Sequence, residues 1–428
     1  MIALVSHDFD AVIARLHAAN QGGQDPEVAG VLRQMQTEIQ TEGDRAVLAY
    51  SARYDGIDPD GFSLQVSAEE IPAAYAAVSD EVVETLKRAI ANVEAFHRHQ
   101  LPKNWDDSPQ VGVSYGVRYS ALDVVGLYVP GGRAPLPSTA IMNAVPAKLA
   151  GVRQLVMMTP PNAAGEIGPT ILVAADLCGV DVICKVGGAQ AVFGVATGTN
   201  QLPKVDKIVG PGNMYVTLAK QMVYGQVDID KPAGPSEVLI YVDGVAYASY
   251  AAADLLCQLE HDPNSVGVIV SEKKEVLDAI AQVLPEQVAA CERREIIEES
   301  IKHSVMCHTA SRDESIEVMN KVASEHVVIL VDMYEDILDK LRHGGSIFCG
   351  PYTPVTLGDY YAGPNHVLPT SGTARFASPL GVMDFMKYSS VLSYDRVALA
   401  GAADDLKTLT GLEGLDAHYR AVGVRLDA

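Results

Sequence analysis

Tryptophan occurs once in the 428 residues, as Trp105, and cysteine six times, at 178, 184, 257, 291, 307 and 349. No two of these cysteines form a C-x-x-C pair and no dense framework exists, so they read as reduced, mostly buried thiols. No apolar run reaches the roughly 18 residues that a membrane helix requires. Low-complexity segments and short tandem repeats are also lacking. Basic residues are few: 32 Lys and Arg stand against 54 Asp and Glu, a formal net charge of −22 spread along the chain. Such a charge opposes phosphate backbones and anionic lipid, which excludes nucleic acid and membrane as expected partners. The first residues, Met1 to Asp8, show no basic stretch followed by an apolar one, so the expected location is cytoplasmic.

What is present is the material of a globular enzyme. Hydrophobic residues make up 48% of the chain, and its length suits two or three domains. Residues 1 to about 110 read as helical: Phe9 to Ala19, Glu27 to Tyr54 broken at Gly43-Asp44, and Ile71 to His99. The Pro- and Asp-rich stretch Leu101 to Pro109 reads as a connector. Beyond it, Val124 to Val129 is a continuous apolar run of the kind buried on both faces of a sheet. Further runs follow at Leu155 to Met158, Val182 to Val186 and Lys207 to Val209, with helix-like spacers. A second series begins after Gly234-Pro235-Ser236-Glu237, with strands at Val238 to Tyr241, Val266 to Val270, Ser304 to Cys307, Val327 to Val331 and Ser346 to Phe348. Strands alternating with helices predict an α/β fold of two tandem, Rossmann-like, doubly wound parallel sheets. After Gly350 the pattern breaks into a Pro-, Gly- and Tyr-rich segment and a helical tail too small for a core of its own, which is expected to dock elsewhere.

Three glycine loops follow strands of the first series: Pro130-Gly131-Gly132, Gly187-Gly188-Ala189-Gln190 and Gly210-Pro211-Gly212-Asn213. None is the G-x-G-x-x-G fingerprint, and each alone is as well explained by turn geometry. Three along one sheet favour a dinucleotide or other phosphate-bearing ligand, contacted by Tyr128, Gln190 and Asn213. In Asp254 to Asp262, a helix would put Gln258 and His261 on one face, a spacing that suits two ligands of a zinc ion but is ordinarily a surface or capping pair. Ser324-Glu325-His326 joins a carboxylate to an imidazole, as two proton transfers near neutral pH require, though such a pair is usually a solvated loop. Asp359 sits among rigid turn residues in Gly358 to His366, as a ligand or a turn former. The tail carries Glu413 and His418 in Leu412 to His418, and Ser236 follows the Ala233-Gly234-Pro235 turn.

Taken together, the chain resembles the histidinol dehydrogenase family along nearly its whole length. The most specific matches are Val125 to Gly132, Val209 to Asn213, Ala233 to Glu237, Gln258-Leu259-Glu260-His261, Gly358-Asp359-Tyr360 and Asn365 to Pro369. The resemblance implies a zinc-dependent, NAD-linked oxidation of histidinol to histidine through the aldehyde, in two hydride steps. It implies one zinc ion per subunit, held by Gln258, His261, Asp359 and His418. It places NAD at Tyr128, Gln190 and Asn213, and the substrate at Ser236, Gln258, His261, His326, Asp359, Glu413 and His418. His326 would accept the alcohol proton and Glu325 would activate water for the second oxidation, with zinc orienting the substrate. The implied assembly is a homodimer with shared active sites. Its parts are an N-terminal arm 1–20, a domain of 21–110 and 238–375 carrying the catalytic and metal residues, an NAD-binding domain 111–237, and a dimer-contacting tail 376–428. The chain departs from the family pattern at Ser324 and Val327 around the Glu-His pair, at Val355-Thr356 and at Tyr388. These leave open a paralogue oxidising another small polar alcohol, such as a sulfonated diol. A thiol-dependent aldehyde dehydrogenase using Cys349 and a non-catalytic metal-binding protein are the readings from other classes.

Overall fold

The apolar runs are strands and the segments between them helices in a computed structural model that describes residues 2–5, 9, 10, 13, 14, 26–131, 136–231 and 234–427. Most of the expected helix Phe9 to Ala19 lies outside the described residues, as do Gly132 of the first glycine loop and Ala233 of the turn before Ser236. In chain order the strands are β1 (Ala3–Val5), β2 (Trp105–Gln110), β3 (Val113–Ala121), β4 (Val124–Tyr128), β5 (Gln154–Thr159), β6 (Val182–Lys185) and β7 (Lys207–Val209). They continue with β8 (Asp228–Ile229), β9 (Glu237–Val242), β10 (Val266–Ser271), β11 (Val305–His308), β12 (His326–Leu330), β13 (Ser346–Cys349) and β14 (Met386–Tyr394). Contacts divide the chain into two units, Met1–Gln100 with Leu122–Phe385, and Leu101–Ala121 with Met386–Ala428.

The first unit holds two parallel sheets. One has five strands in the order β6-β5-β4-β7-β8. The chain winds outward from β4 to β6, then returns to place β7 on the other side of β4, so the strand order reverses between β4 and β7. The second sheet has six strands in the order β1-β11-β10-β9-β12-β13, and reverses between β9 and β12 in the same way. Strands β9, β10 and β12 are buried along their whole length, which is why they read as unbroken apolar runs rather than alternating ones. The N-terminal helices Pro26–Glu42 and Asp44–Asp55, grouped from the sequence with 238–375, pack Leu32, Met35, Ile39, Val47 and Tyr50 into the core of the five-stranded sheet. The expected single helix from Ile71 to His99 is two, Glu70–Ala77 and Asp80–Arg98, because Ser79 caps the second by accepting from the Val82 amide.

The second unit is a three-stranded antiparallel sheet, β14-β3-β2, followed by helices Arg396–Leu412 and Asp416–Leu426. It corrects one expectation: Trp105 does not sit in a connector but opens β2, which pairs with β3 through a bulge between Asp107 and Gln110. Every residue of β2 is exposed, so no buried face gave the strand a readable pattern. β14 pairs with β3 in unbroken register from Met386 opposite Ala121 to Tyr394 opposite Val113. The two helices bury no residue within this chain, and Leu392, Val397, Leu412 and Val424 are largely exposed.

Candidate active site

At the carboxyl edge of the five-stranded sheet the described part of the first glycine loop, Pro130-Gly131, meets the Gly187 and Gly210 loops around the β4/β7 reversal, where open α/β sheets bind ligands. Tyr128 ends β4, and its buried hydroxyl, pushed up to about 12 by burial, accepts from the Gly188 amide at 3.0 Å. Gly210 follows β7 with φ +111°, and a Cβ there would stand 2.2 Å from the Tyr128 carbonyl oxygen. Only glycine allows the two loops to approach so closely. The Gly210 amide donates to Asp230 Oδ2 at 2.8 Å and its carbonyl accepts from Lys220 Nζ at 3.0 Å. Lys220 and Asp230 pair with each other and are almost fully buried, so an ion pair grips both backbone groups of Gly210. Asn213 caps the next helix, its Oδ1 accepting from the Val216 amide at 3.1 Å, which leaves its NH2 group for a ligand. Gln190 is buried, with Nε2 donating to Asp55 Oδ2 at 3.3 Å. Beside these loops Asn143 Oδ1 and Thr159 Oγ1 are buried with no hydrogen-bond partner among the described residues.

The Glu325-His326 pair lies at the opposite kind of edge. Glu325 and His326 stand at the amino end of β12, next to the amino end of β9, where Ser236 precedes Glu237. The helix Ala248–Leu259 runs back from the carboxyl edge and therefore delivers Gln258 to this same amino edge, just before β10. Glu237 fixes both members of the pair through its backbone. Its amide donates to Glu325 Oε2 at 2.8 Å, and its carbonyl lies 3.1 Å from His326 Nδ1. A carbonyl only accepts, so Nδ1 carries a proton and Nε2 faces Asp359 Oδ1 at 3.3 Å. Burial works against charge on His326, but Glu325 and Asp359 outweigh it and push the imidazole up to about 10. Burial likewise opposes charge on Asp359, and His326 overrides it, with His366 and His261 adding to the pull, so its carboxyl is held below the usual range. The Glu237 carboxyl is pushed up to about 8, by burial and then by Glu325.

The expected ligands meet unevenly. Gln258 is buried and its Oε1 has no hydrogen-bond partner among the described residues. The helix stops at Leu259, so His261 does not share a regular helical face with Gln258. It is exposed in a tighter turn whose amide donates to the Gln258 carbonyl at 3.3 Å. It still lies within electrostatic reach of Asp359. Asp359 comes from the short helix Val355–Tyr360, pinned to the Gln258 helix by Asp254, which accepts from the Val355 amide, and by Cys257 Sγ at 3.6 Å from Thr356 Oγ1. Glu413 and His418 belong to the second unit and are exposed there. Among the described residues no three His, Cys, Asp or Glu side chains form a cluster able to hold a metal ion. In the first unit the expected set has only His261 and Asp359 of those types, with Gln258 beside them.

Sequence reasoning missed three further groups here. His366, quoted above only as part of a motif, is held by Nδ1 to the Asp359 carbonyl at 2.8 Å and lies 3.3 Å through Nε2 from Thr139 Oγ1. Glu237 hid as the first residue of an apolar strand. Asp55 carried no motif at all. The thiol reading loses its basis: all six cysteines are free, and burial pushes the Cys349 thiol up instead of lowering it as a nucleophile requires.

Comparison with known proteins identifies the family. The model of the histidinol dehydrogenase family matches residues 19–426. The histidinol dehydrogenase of Heliobacterium mobile is 46% identical over 404 residues, covering 94% of this chain and 95% of its own. That of Thermosynechococcus vestitus is 43% identical over 420 residues, covering 98% and 97%. The crystal structure of histidinol dehydrogenase from Elizabethkingia anophelis matches with a TM-score of 0.93 at 32% identity, covering 100% of this chain and 98% of that one.

Proposed function

Because the chain belongs to the histidinol dehydrogenase family, we propose that it oxidises L-histidinol to L-histidine through L-histidinal, passing one hydride to each of two NAD molecules in turn, as an enzyme of histidine biosynthesis. The observation that carries the reading is the buried Glu325-His326 pair held by the backbone of Glu237 and facing Asp359. A buried carboxylate and imidazole side by side are what two successive proton transfers need.

The donors fit zinc. A carboxamide oxygen buried without a partner among the described residues, at Gln258, is stabilised by a cation, and imidazole and carboxylate, from His261 and Asp359, are usual zinc ligands. His418 of the partner subunit would complete one zinc site per subunit. When bound, zinc supplies positive charge that orients the substrate and weakens the hold of Asp359 on the His326 proton, and NAD supplies the hydride acceptor. His326 Nε2 takes the alcohol proton, while the Glu237 carbonyl keeps Nδ1 protonated and the ring oriented. Glu325 takes a proton from water so that the aldehyde is hydrated, and the second oxidation then yields the acid. Ser236, Gln258, His261, His326, Asp359 and the partner's Glu413 and His418 surround the substrate. Tyr128, Gln190 and Asn213 contact NAD.

A homodimer with shared active sites is supported by the second unit, whose helices expose apolar side chains and bury nothing in their own chain. No described helix is long and apolar enough to cross a membrane, and we place the enzyme in the cytoplasm. Incubation of zinc-loaded protein with L-histidinol and NAD tests the proposal. The expected result is NADH with L-histidine as product. Absence of NADH overturns the substrate assignment, and NADH with a different small alcohol alone would favour the paralogue.

A further inference from the structure

We infer that Asp55 sets the choice of cofactor, accepting hydrogen bonds from the adenosine ribose hydroxyls of NAD and rejecting the 2′-phosphate of NADP; this rests on the NAD reading above. Asp55 is the last residue of the helix Asp44–Asp55, far in sequence from every glycine loop. Its Oδ2 nonetheless accepts from Gln190 Nε2 at 3.3 Å, in the first turn of the helix that follows β6. It also lies within electrostatic reach of the Tyr128 hydroxyl at the end of β4. The carboxyl is half-buried, and no cation among the described residues acts on it. Burial pushes it up to about 6 against hydrogen bonds from Gln190 and Ser51, so at neutral pH it is a poorly solvated anion, and a carboxylate so bonded still has acceptor capacity left.

A dinucleotide offers such a group few partners. The pyrophosphate is repelled by it and finds amide donors instead at the glycine loops and helix N-termini. Ribose hydroxyls are donors, and a carboxylate that receives the ribose 2′-hydroxyl is the general device by which parallel α/β sheets choose NAD. Adding a phosphate at that position sets two anions against each other in a partly desolvated site.

The test uses the full-length zinc-loaded enzyme and the isosteric variant Asp55→Asn, which can still accept from Gln190. The ratio of kcat/KM with NADP to that with NAD should rise in the variant by about ten- to a hundredfold. An unchanged ratio overturns the inference. A second measurement does not depend on the variant folding. Inhibition of wild-type enzyme by ADP-ribose should be at least about tenfold tighter than by 2′-phospho-ADP-ribose, and equal inhibition overturns the inference. These inhibitors need no hydride transfer, so failure to oxidise histidinol would overturn the proposed function while leaving Asp55 separately decided.

Discussion

Lys220→Met tests how the Gly210 loop is held. The Lys220 ammonium and the Asp230 carboxylate are paired and almost fully buried, and between them they bind the carbonyl and the amide of Gly210. Methionine fills most of the lysine's volume, so the packing loss is small. What remains is a buried Asp230 without its cation, which costs about 3–5 kcal/mol. Against a total stability of about 5–15 kcal/mol, the protein should still fold but unfold at visibly lower urea. The double variant Lys220→Met with Asp230→Asn removes both charges and keeps an acceptor for the Gly210 amide. It should be more stable than Lys220→Met alone, by a coupling of about 1–3 kcal/mol. Urea unfolding followed by circular dichroism measures both, and the KM for NAD should rise in the single variant because Gly210 leads to Asn213. A loss below about 1 kcal/mol in Lys220→Met, or strict additivity in the double variant, would refute the clamp.

Gly210→Ala should raise the KM for NAD at least about tenfold and destabilise by about 1–3 kcal/mol, since its Cβ would lie 2.2 Å from a carbonyl oxygen at a positive φ; steady-state kinetics and urea unfolding check it. Burial pushes the Asp254 carboxyl up to about 6, so its contribution to stability is complete below its unfolded value near 3.8 and is lost as pH rises through about 6. Asp254→Asn, which still accepts from the Val355 amide, should therefore be the more stable protein at pH 7, by up to about 3 kcal/mol, with the advantage gone at pH 3.5. His261→Ala should lose bound zinc and activity together while its circular dichroism stays that of the wild type; stoichiometric zinc in the variant, measured by metal analysis, contradicts its place as a ligand. Glu325→Gln should stall after the first oxidation, and a variant that still makes L-histidine at the wild-type rate removes Glu325 from the water step.

The parallel sheets were legible because burial on both faces leaves unbroken apolar runs, and β4, β5, β9, β10 and β12 announce themselves in that way. The three-stranded sheet was not, because β2 is exposed along its length and Trp105-Asp106-Asp107-Ser108-Pro109 has the composition of a turn. The loops at the carboxyl edge could be placed from strand order alone. The amino-edge position of Glu325 and His326 could not, because it depends on β12 lying beside β9, a neighbour 88 residues away across the Glu237 to Glu325 hydrogen bond. Gln258 and His261 were found by spacing, yet the helix ends between them, and it is the buried oxygen of Gln258, unpartnered among the described residues, that distinguishes the pair from an ordinary cap. Asp55 and His366 had no local signal, since each matters only through what the fold brings against it.

The proposed sharing of sites, in which the tail of one subunit completes the site of the other, is tested most directly by mixing two inactive variants, His326→Ala and His418→Ala. Random reassociation should restore about a quarter of the wild-type sites, because half the dimers are mixed and each mixed dimer has one intact site. Confirmed mixed dimers without activity would contradict the shared site.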